Sequence, residues 1–500
     1  MRITNTTVRA VNGLTARWAG TTSGGTVFSA AGVWPLLAFL ADGAGGAART
    51  ELADALGLPA GEAAAAGREL LGALRATRGL DPALGLWTAR TLEPREEWEA
   101  GLPVEAHGAL TGRPETDTAA LDAWVRKRTD GRIPRLPLDL TKDTELVLAS
   151  AFALRTEWFR PFTDGVVEPH TGPWRGRTLR GLYRGTVLLD RVGVADTPHG
   201  AVTELKVLGT TGVDVHLLLG EERMSPGQVL GAGVDVLARR FRTVPGHELP
   251  YGEAGPGLRV VRERSTVPRP PSLEVTTVAF DLAADHDLLR SPELFGLGSA
   301  SDSRHGHFPG ISRGPLAVGS ARQSATAAFG ALGFRAAAAT AVSGVAAGPP
   351  DLRYVTTTVE AVLDRPFGFL ALHRTSRLVL AAGWVGDPEP FAEEDGYGWE
   401  EDGFGEDGFG EGGFGEEAGT GGRVTPAHGP ARTGIRRRPH SVAVRDPIAA
   451  RDPIAAGGAF RRRKPDPGRG AFPTGLTKAG IGTVREPCGD RPSRAHNLRT

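Results

Sequence analysis

Several stretches of the 500-residue chain carry side chains suited to chemistry. Gly310–Gly314 reads GISRG, the Gly-x-Ser-x-Gly of a hydrolase nucleophile elbow. That elbow needs a strand before it and a helix after it. Pro309 precedes it here and Pro315 follows, so the stretch reads as a surface turn. His305 and His307 form an i, i+2 pair of the kind that binds a metal from a strand. With no carboxylate or cysteine cluster recognised beside them, they read as solvent-exposed loop histidines. Neither a metal nor a cofactor is expected. The glycines of GFGEDGFG do not make a dinucleotide loop, because their acidic neighbours repel phosphate and no strand leads in. Trp158 offers a flat ligand platform, but a buried core tryptophan is the ordinary reading. Arg436–Arg438 and Arg461–Lys464 are suited to phosphate contacts. An acidic segment close by compensates them, so nucleic acid is not an expected partner.

The elements that must position such groups occupy about four-fifths of the chain. Composition changes sharply after Pro388. Residues 391–420 are acidic and glycine-rich, and from Arg423 the sign reverses, with RRRPH, FRRRKPDPGRG and the short repeat RDPIAARDPIAA. Glycine loses the most backbone entropy on folding and like charges oppose collapse. Residues 1–390 are therefore read as one domain and 391–500 as a disordered low-complexity tail. The whole chain has formal net charge +0, which argues against a general electrostatic binder of DNA or membrane. No start-like secretory signal is read in MRITNTTVRAVNGLTARWAG, and the single Cys488 excludes an intrachain disulfide. Both features favour the cytoplasm, with an extracellular location as the alternative.

Val8, Val11, Leu14 and Trp18 share one face of an opening helix, with Thr6 or Asn5 as its cap. VWPLLAFLA is too short to span a bilayer and reads as a buried helix. ARTELADALGLP places Leu52 and Leu56 one turn apart and stops at Gly57 and Pro59. VTELKVLGTTGVDVHLLLG is a hairpin, and FGFLAL with RLVLAAGWV forms another. Val355, Thr357, Val359, Ala361 and Leu363 share one strand face. Helices lead and antiparallel strands dominate later, so the fold class is α+β.

One stretch fits no element. FRAAAATAVSGVAAGPPD, Phe334 to Asp351, has almost only small side chains and no helical or strand period. It reads as a loop able to become a strand. Small residues do not lock a helix strongly, and they enter between two existing strands without overpacking.

A family resemblance enters at the chain's last hairpin. LDRPFGFLALHRTSRLVLAAGWVGDP resembles the carboxy-terminal signature of the serpins, of a bacterial, actinobacterial-like kind. Asp364, Arg365, Pro366 and Phe367 match its Asp/Asn-Arg/His-Pro-Phe core, and Gly383, Val385 and Pro388 its closing Gly-x-Val-x-x-Pro; Gly368 departs from the usual large apolar residue. TVFSAAGVWPLLAFLADGAGG, ELVLASAFALRTEWFRPF, HDLLRSPELFGLGSASDSRHGHFPGIS and LAVGSARQSATAAFGALGFRAAAAT match further serpin segments in the right order.

The resemblance implies a serpin-like fold with large, mostly antiparallel sheets and an exposed reactive-centre loop. It implies an inhibitor of serine-type endopeptidases rather than an enzyme, with no catalytic residues of its own. The protease cleaves the loop, forms an acyl-enzyme, and is carried across the molecule as the loop inserts into the main sheet. The hinge would be Gly333, Phe334, Arg335, Ala336, Ala337, Ala338, Ala339 and Thr340, with Phe334 a bulky ring on the buried face that slows entry or requires a matching cavity. The scissile bond would be Ala347–Gly348, suiting an elastase- or subtilisin-like protease, or alternatively Arg353–Tyr354, suiting a trypsin-like one. Trp158, Ser29, Ser150 and Gln323 would form the breach and shutter. Gln323 stands where the family has histidine, Gly32 where it has serine, and Ala331 where it has the hinge glutamate. The expected partner is a serine protease and the expected state a monomer. The alternative is a non-inhibitory serpin-fold binding or storage protein.

Overall fold

Apolar spacing sets the first elements. Val8, Val11, Leu14 and Trp18 are buried along one face of helix α1 (Asn5–Ala19). Its cap is Thr4, one residue ahead of the expected Asn5 and Thr6, and the Thr4 hydroxyl accepts the Thr7 N–H at 3.2 Å. Strand β1 (Thr26–Phe28) leads to α2 (Ala30–Gly43), whose residues are buried all round except Asp42. A helix apolar on every side belongs inside a core. α3 (Gly46–Leu56) ends as expected at Gly57, in the left-handed conformation with φ 67°, where glycine carries no Cβ penalty.

This computed structural model describes residues 3–334 and 353–392. After α4 (Ala60–Arg75) come β2 (Leu80–Ala89), α5 (Glu96–Gly101), β3 (His107–Leu110), α6 (Pro114–Arg128) and β4 (Leu146–Leu154). A two-residue strand, β5 (Thr156–Glu157), continues β4. β6 (Thr163–Val167), β7 (Leu179–Thr186), β8 (Val192–Thr197), β9 (Gly200–Leu208) and β10 (Val213–Gly220) precede α7 (Pro226–Leu237). Strands then dominate: β11 (Thr243–Pro245), β12 (Gly252–Gly255), β13 (Leu258–Ser265), β14 (Ser272–Val278) and β15 (Phe280–Asp287). The single turn α8 (Pro292–Phe295) precedes β16 (Val318–Phe329), β17 (Gly333–Phe334), β18 (Tyr354–Val362), β19 (Phe367–His373) and β20 (Val379–Val385). Both expected hairpins form, β9 with β10 and β19 with β20.

The strands make a seven-stranded sheet (β1-β20-β19-β10-β9-β8-β11), a six-stranded sheet (β12-β13-β18-β14-β7-β6) and a five-stranded sheet (β15-β16-β4-β2-β3). β4 is buried on both faces. Leu146, Leu148, Phe152 and Leu154 join the main core, while Val147, Ala149 and Ala151 join a second core with Leu121 and Val125 of α6. This explains why LVLASAFAL reads as a continuous apolar run. Ser150 is the polar exception on the main-core side.

The folded domain runs slightly past the expected boundary at 390. The Phe391 N–H donates to the Thr178 carbonyl at 3.0 Å. The rest of the expected disordered tail, 393–500, lies outside the described residues.

The β9–β10 hairpin carries a buried charge that sequence reading did not single out. His216 Nδ1 donates to Glu204 Oε1 at 2.7 Å, and Lys206 Nζ lies 3.4 Å from Oε2. Burial opposes the Glu204 charge, but the His216 hydrogen bond and the charges of His216 and Lys206 outweigh it and hold the carboxyl at about 2. In the unfolded chain it titrates near ~4.3. The stabilisation is therefore complete above that value and is lost as pH falls from there towards 2. Glu204→Gln is expected to cost on the order of 3 kcal/mol at neutral pH. Denaturant titrations should show that gap from wild type narrowing through the acidic window; a gap independent of pH would refute the assignment.

Candidate functional site

β16 runs antiparallel to β15 but parallel to β4, from Val318 opposite Leu146 to Thr326 opposite Ala153. Along this seam Gln323 stands opposite Ser150, and both are fully buried. Gln323 Oε1 accepts the Ser29 N–H at 2.8 Å, and Nε2 donates to the Ser29 carbonyl at 2.8 Å and to Ser150 Oγ at 3.2 Å. Ser29 in turn caps α2 by accepting the Gly32 N–H at 3.0 Å and donates its hydroxyl to the Leu380 carbonyl at 2.5 Å. One amide side chain thus ties β16 to β4 and to the junction of β1 and α2. Gly32 belongs to the same fit. A Cβ there would lie 2.9 Å from Ser150 Oγ and 3.3 Å from Gln323 Nε2, so the bare backbone leaves room for the amide.

His286 is a member of this cluster that sequence reading missed. It stands opposite Gln323 in the β15–β16 ladder, donates Nε2–H to the Val27 carbonyl at 2.9 Å, and meets the Trp18 ring edge-on at 5.1 Å. The available signal was alternation: Phe280, Leu282, Ala284 and His286 share the less exposed side of β15. Burial pushes its imidazole below the usual histidine range, against the Val27 hydrogen bond and the Asp285 charge.

At the top of the seam, Trp158 is buried as expected. Its indole donates to the Gly330 carbonyl at 2.9 Å, and its backbone N–H to the Leu332 carbonyl at 3.0 Å. The Phe162 N–H adds a bond to the Ala331 carbonyl at 2.8 Å. These bonds hold a tight hairpin, closed by the Gly330 N–H on the Gly333 carbonyl at 3.0 Å. Gly333 and Phe334 then pair antiparallel with Glu157 and Thr156. A Cβ on Gly333 would lie 2.4 Å from the Thr156 carbonyl oxygen, so only glycine passes there.

Phe334 was expected on a buried face, where its ring would either slow entry or require a matching cavity. The structure seats the ring in such a cavity, with no exposure and its centroid 6.1 Å from that of Phe369. Arg335, Ala336, Ala337, Ala338, Ala339, Thr340, Ala347 and Gly348 lie outside the described residues. Of the alternative scissile pair, Arg353 is exposed and Tyr354 opens β18, paired with Ser265.

GISRG forms a turn between the buried Phe308 and Gly314, and Ser312 Oγ accepts the Gly314 N–H at 3.1 Å. The histidine pair was read as lacking a carboxylate. Asp302 supplies one, its Oδ2 accepting His305 Nδ1 at 2.9 Å.

Two outcomes are expected at the seam. Phe334→Thr removes a seated ring, so it should destabilise the protein by roughly 3 kcal/mol; an unchanged melting temperature would mean the pocket contributes nothing. For His286 the folded form favours the neutral ring. Its contribution is present above the unfolded value of ~6.5 and is lost as pH falls below it. His286→Gln should flatten the stability profile below about pH 6.5. If the profile keeps its slope there, another group titrates.

The chain resembles known proteins along most of this architecture. The family model for Serpin (serine protease inhibitor) matches residues 3–171. A rice protein, serpin-Z6C of Oryza sativa subsp. japonica, is 27% identical over 397 residues, covering 73% of this chain and 91% of its own. Among solved structures, human thyroxine-binding globulin complexed with thyroxine superposes with TM-score 0.58 at 16% identity, covering 77% of this chain and 98% of its own. Mouse protein-Z dependent protease inhibitor gives TM-score 0.57 at 15% identity, over 77% and 97%. Over residues 3–171 the chain resembles the serpins in sequence, and its fold is that of the serpins.

Proposed function

We propose that this protein inhibits serine proteases as a suicide substrate, through cleavage of the segment after Phe334 and insertion of that segment between β16 and β4. The observation that carries the reading is the parallel seam. Two parallel neighbours leave one kind of slot, in which a third strand lies antiparallel to both. A chain that turns back from the top of β16 has that direction, and β17 already takes the first two positions of it.

Register supports the reading from two sides. Continuing the β17–β5 pairing from Phe334 opposite Thr156 brings Thr340 opposite Ser150. Continuing the hairpin from Gly333 opposite Gly330 brings Thr340 opposite Gln323. Gln323 and Ser150 are themselves partners, so the two extrapolations agree. Thr340 would then replace the direct Gln323–Ser150 bond with its own hydroxyl. Ala336 and Ala338 would face the main core, and Ala337 and Ala339 the side of the second core. Small side chains suit both faces. Opening the slot widens the sheet by one strand spacing, ~4.8 Å. It therefore breaks the Gln323–Ser150 bond and the 2.9 Å ion pair of Arg322 with Asp139. The new ladder offsets this with about 1 kcal/mol per bond, on the order of 10 kcal/mol for a full strand.

In the covalent step the protease serine attacks the Ala347 carbonyl and releases the Gly348 amine. The small Ala347 side chain suits an elastase- or subtilisin-like target. Tyr354 is already committed to a ladder, which leaves the Arg353–Tyr354 bond less extended room in a protease cleft.

A second reading is a non-inhibitory binding or storage protein. The Gln323 clasp on Ser29 and Ser150 favours it, and the fold neighbour complexed with thyroxine illustrates such a use of the architecture. Incubation with a panel of elastase-, subtilisin- and trypsin-like proteases separates the two. Inhibition predicts a complex that survives SDS, and Thr340→Arg should abolish that complex while leaving cleavage intact, because a charged chain blocks the shutter. Clean cleavage of wild type with no complex and no rise in melting temperature would leave the second reading standing.

A further inference from the structure

The loop between α8 and β16 brings three potential ligands together. One imidazole nitrogen from each of His305 and His307 and one carboxylate oxygen of Asp302 lie within 4.8 Å of one another. The two rings sit 5.9 Å apart between centroids. The loop is anchored at one of its ligands. The His307 carbonyl accepts the Gly45 N–H at 2.8 Å, Phe308 is buried next to it, and the Gly310 N–H reaches the Gly43 carbonyl at 3.0 Å. Asp302 is set from the other side, its Oδ1 accepting the Arg304 N–H at 2.9 Å.

We propose that Asp302, His305 and His307 bind a divalent transition-metal ion of the zinc class. Two imidazoles and one carboxylate are a donor set for zinc and its borderline neighbours, and a single carboxylate is too few oxygens for calcium. Zinc at about 2.1 Å from each ligand places tetrahedral donors about 3.4 Å apart. No pair therefore needs to close by more than about 1.4 Å, within reach of side-chain rotation on this loop. Three protein ligands leave a fourth position for water or for a donor from another molecule.

Arg304 is the built-in competitor. Its Nε lies 3.0 Å from Asp302 Oδ1 and its Nη2 3.3 Å from Oδ2, so the guanidinium holds the carboxylate that the metal needs. Binding thus exchanges one cation for another. His305 Nδ1 lies 2.9 Å from Asp302 Oδ2, so ligation through both atoms requires the ring proton to sit on Nε2 instead.

The test uses the full chain and Zn2+ alone, by calorimetry, with Co2+ as a visible reporter of low-coordinate geometry and Mg2+ as control. One equivalent of Zn2+ should bind and raise the melting temperature, and Mg2+ should do neither. His305→Asn and His307→Asn should each weaken binding by about tenfold or more. Arg304→Gln should tighten it severalfold by freeing the carboxylate. The chain has 12 histidines, so adventitious binding elsewhere is the competing account. No Zn2+ binding, or equal affinity in wild type and both histidine variants, overturns the site. Metal-free melting temperatures of the variants should match wild type, because these side chains are not in the core.

Discussion

The seam between β16 and β4 is the constraint on which the rest depends. Parallel neighbours cannot be joined by a tight turn, and here the chain between Leu154 and Val318 makes strands β5 to β15, most of them in the two larger sheets, and helices α7 and α8 before it returns. The seam is therefore closed late in the sequence and held by few specific contacts. Parallel pairing is slightly weaker per residue than antiparallel pairing. Gln323 supplies the additional hold. Its amide satisfies both backbone groups of Ser29 and reaches Ser150, and a buried amide with both ends engaged fixes one register where apolar contacts alone permit sliding.

A glutamine at this position divides two tasks. It has a donor and an acceptor but no titratable proton. Hydrogen bonding at the seam is therefore insensitive to acid at Gln323 itself. The titratable group sits one strand away at His286, on the side turned from β4, between Trp18 and the Val27 carbonyl. Acid reaches the seam through the β15 edge. Gly32 completes the arrangement by withholding a side chain, so a serine in α2 is not needed to fill the space that the amide occupies.

Legibility in the sequence followed from how local each signal was. α1, the β9–β10 hairpin and the closing β19–β20 hairpin carry periods or turns within single short windows, and they were readable. The Thr4 cap was displaced because Thr4, Asn5 and Thr6 are all competent caps and only the backbone chooses among them. The Phe334 pocket was not readable. Its location near Phe369 joins positions 35 residues apart, and nothing in the spacing of either segment states that they meet. Likewise Glu204 and His216 look like polar interruptions in apolar strands until the hairpin register brings them to one hydrogen bond. Asp302 was visible three residues from His305, but only the loop's fold turns that proximity into convergence.

The seated Phe334 changes how the energy of the seam is distributed. Entry of a strand is hardest at its first step, where two paired edges must part before any new bond forms. Here that step is complete in the described state: the hairpin is closed at Gly330 and Gly333, Trp158 holds it from the side, and the ring has its pocket. What remains between this state and a longer inserted strand is the clasp below, where Gln323 and Ser150 still touch and Arg322 still pairs with Asp139. Under the proposed insertion, the barrier would lie at Gln323 and Ser150 rather than at Phe334. Contacts at the top would set where a strand starts, and contacts at Gln323 whether it continues.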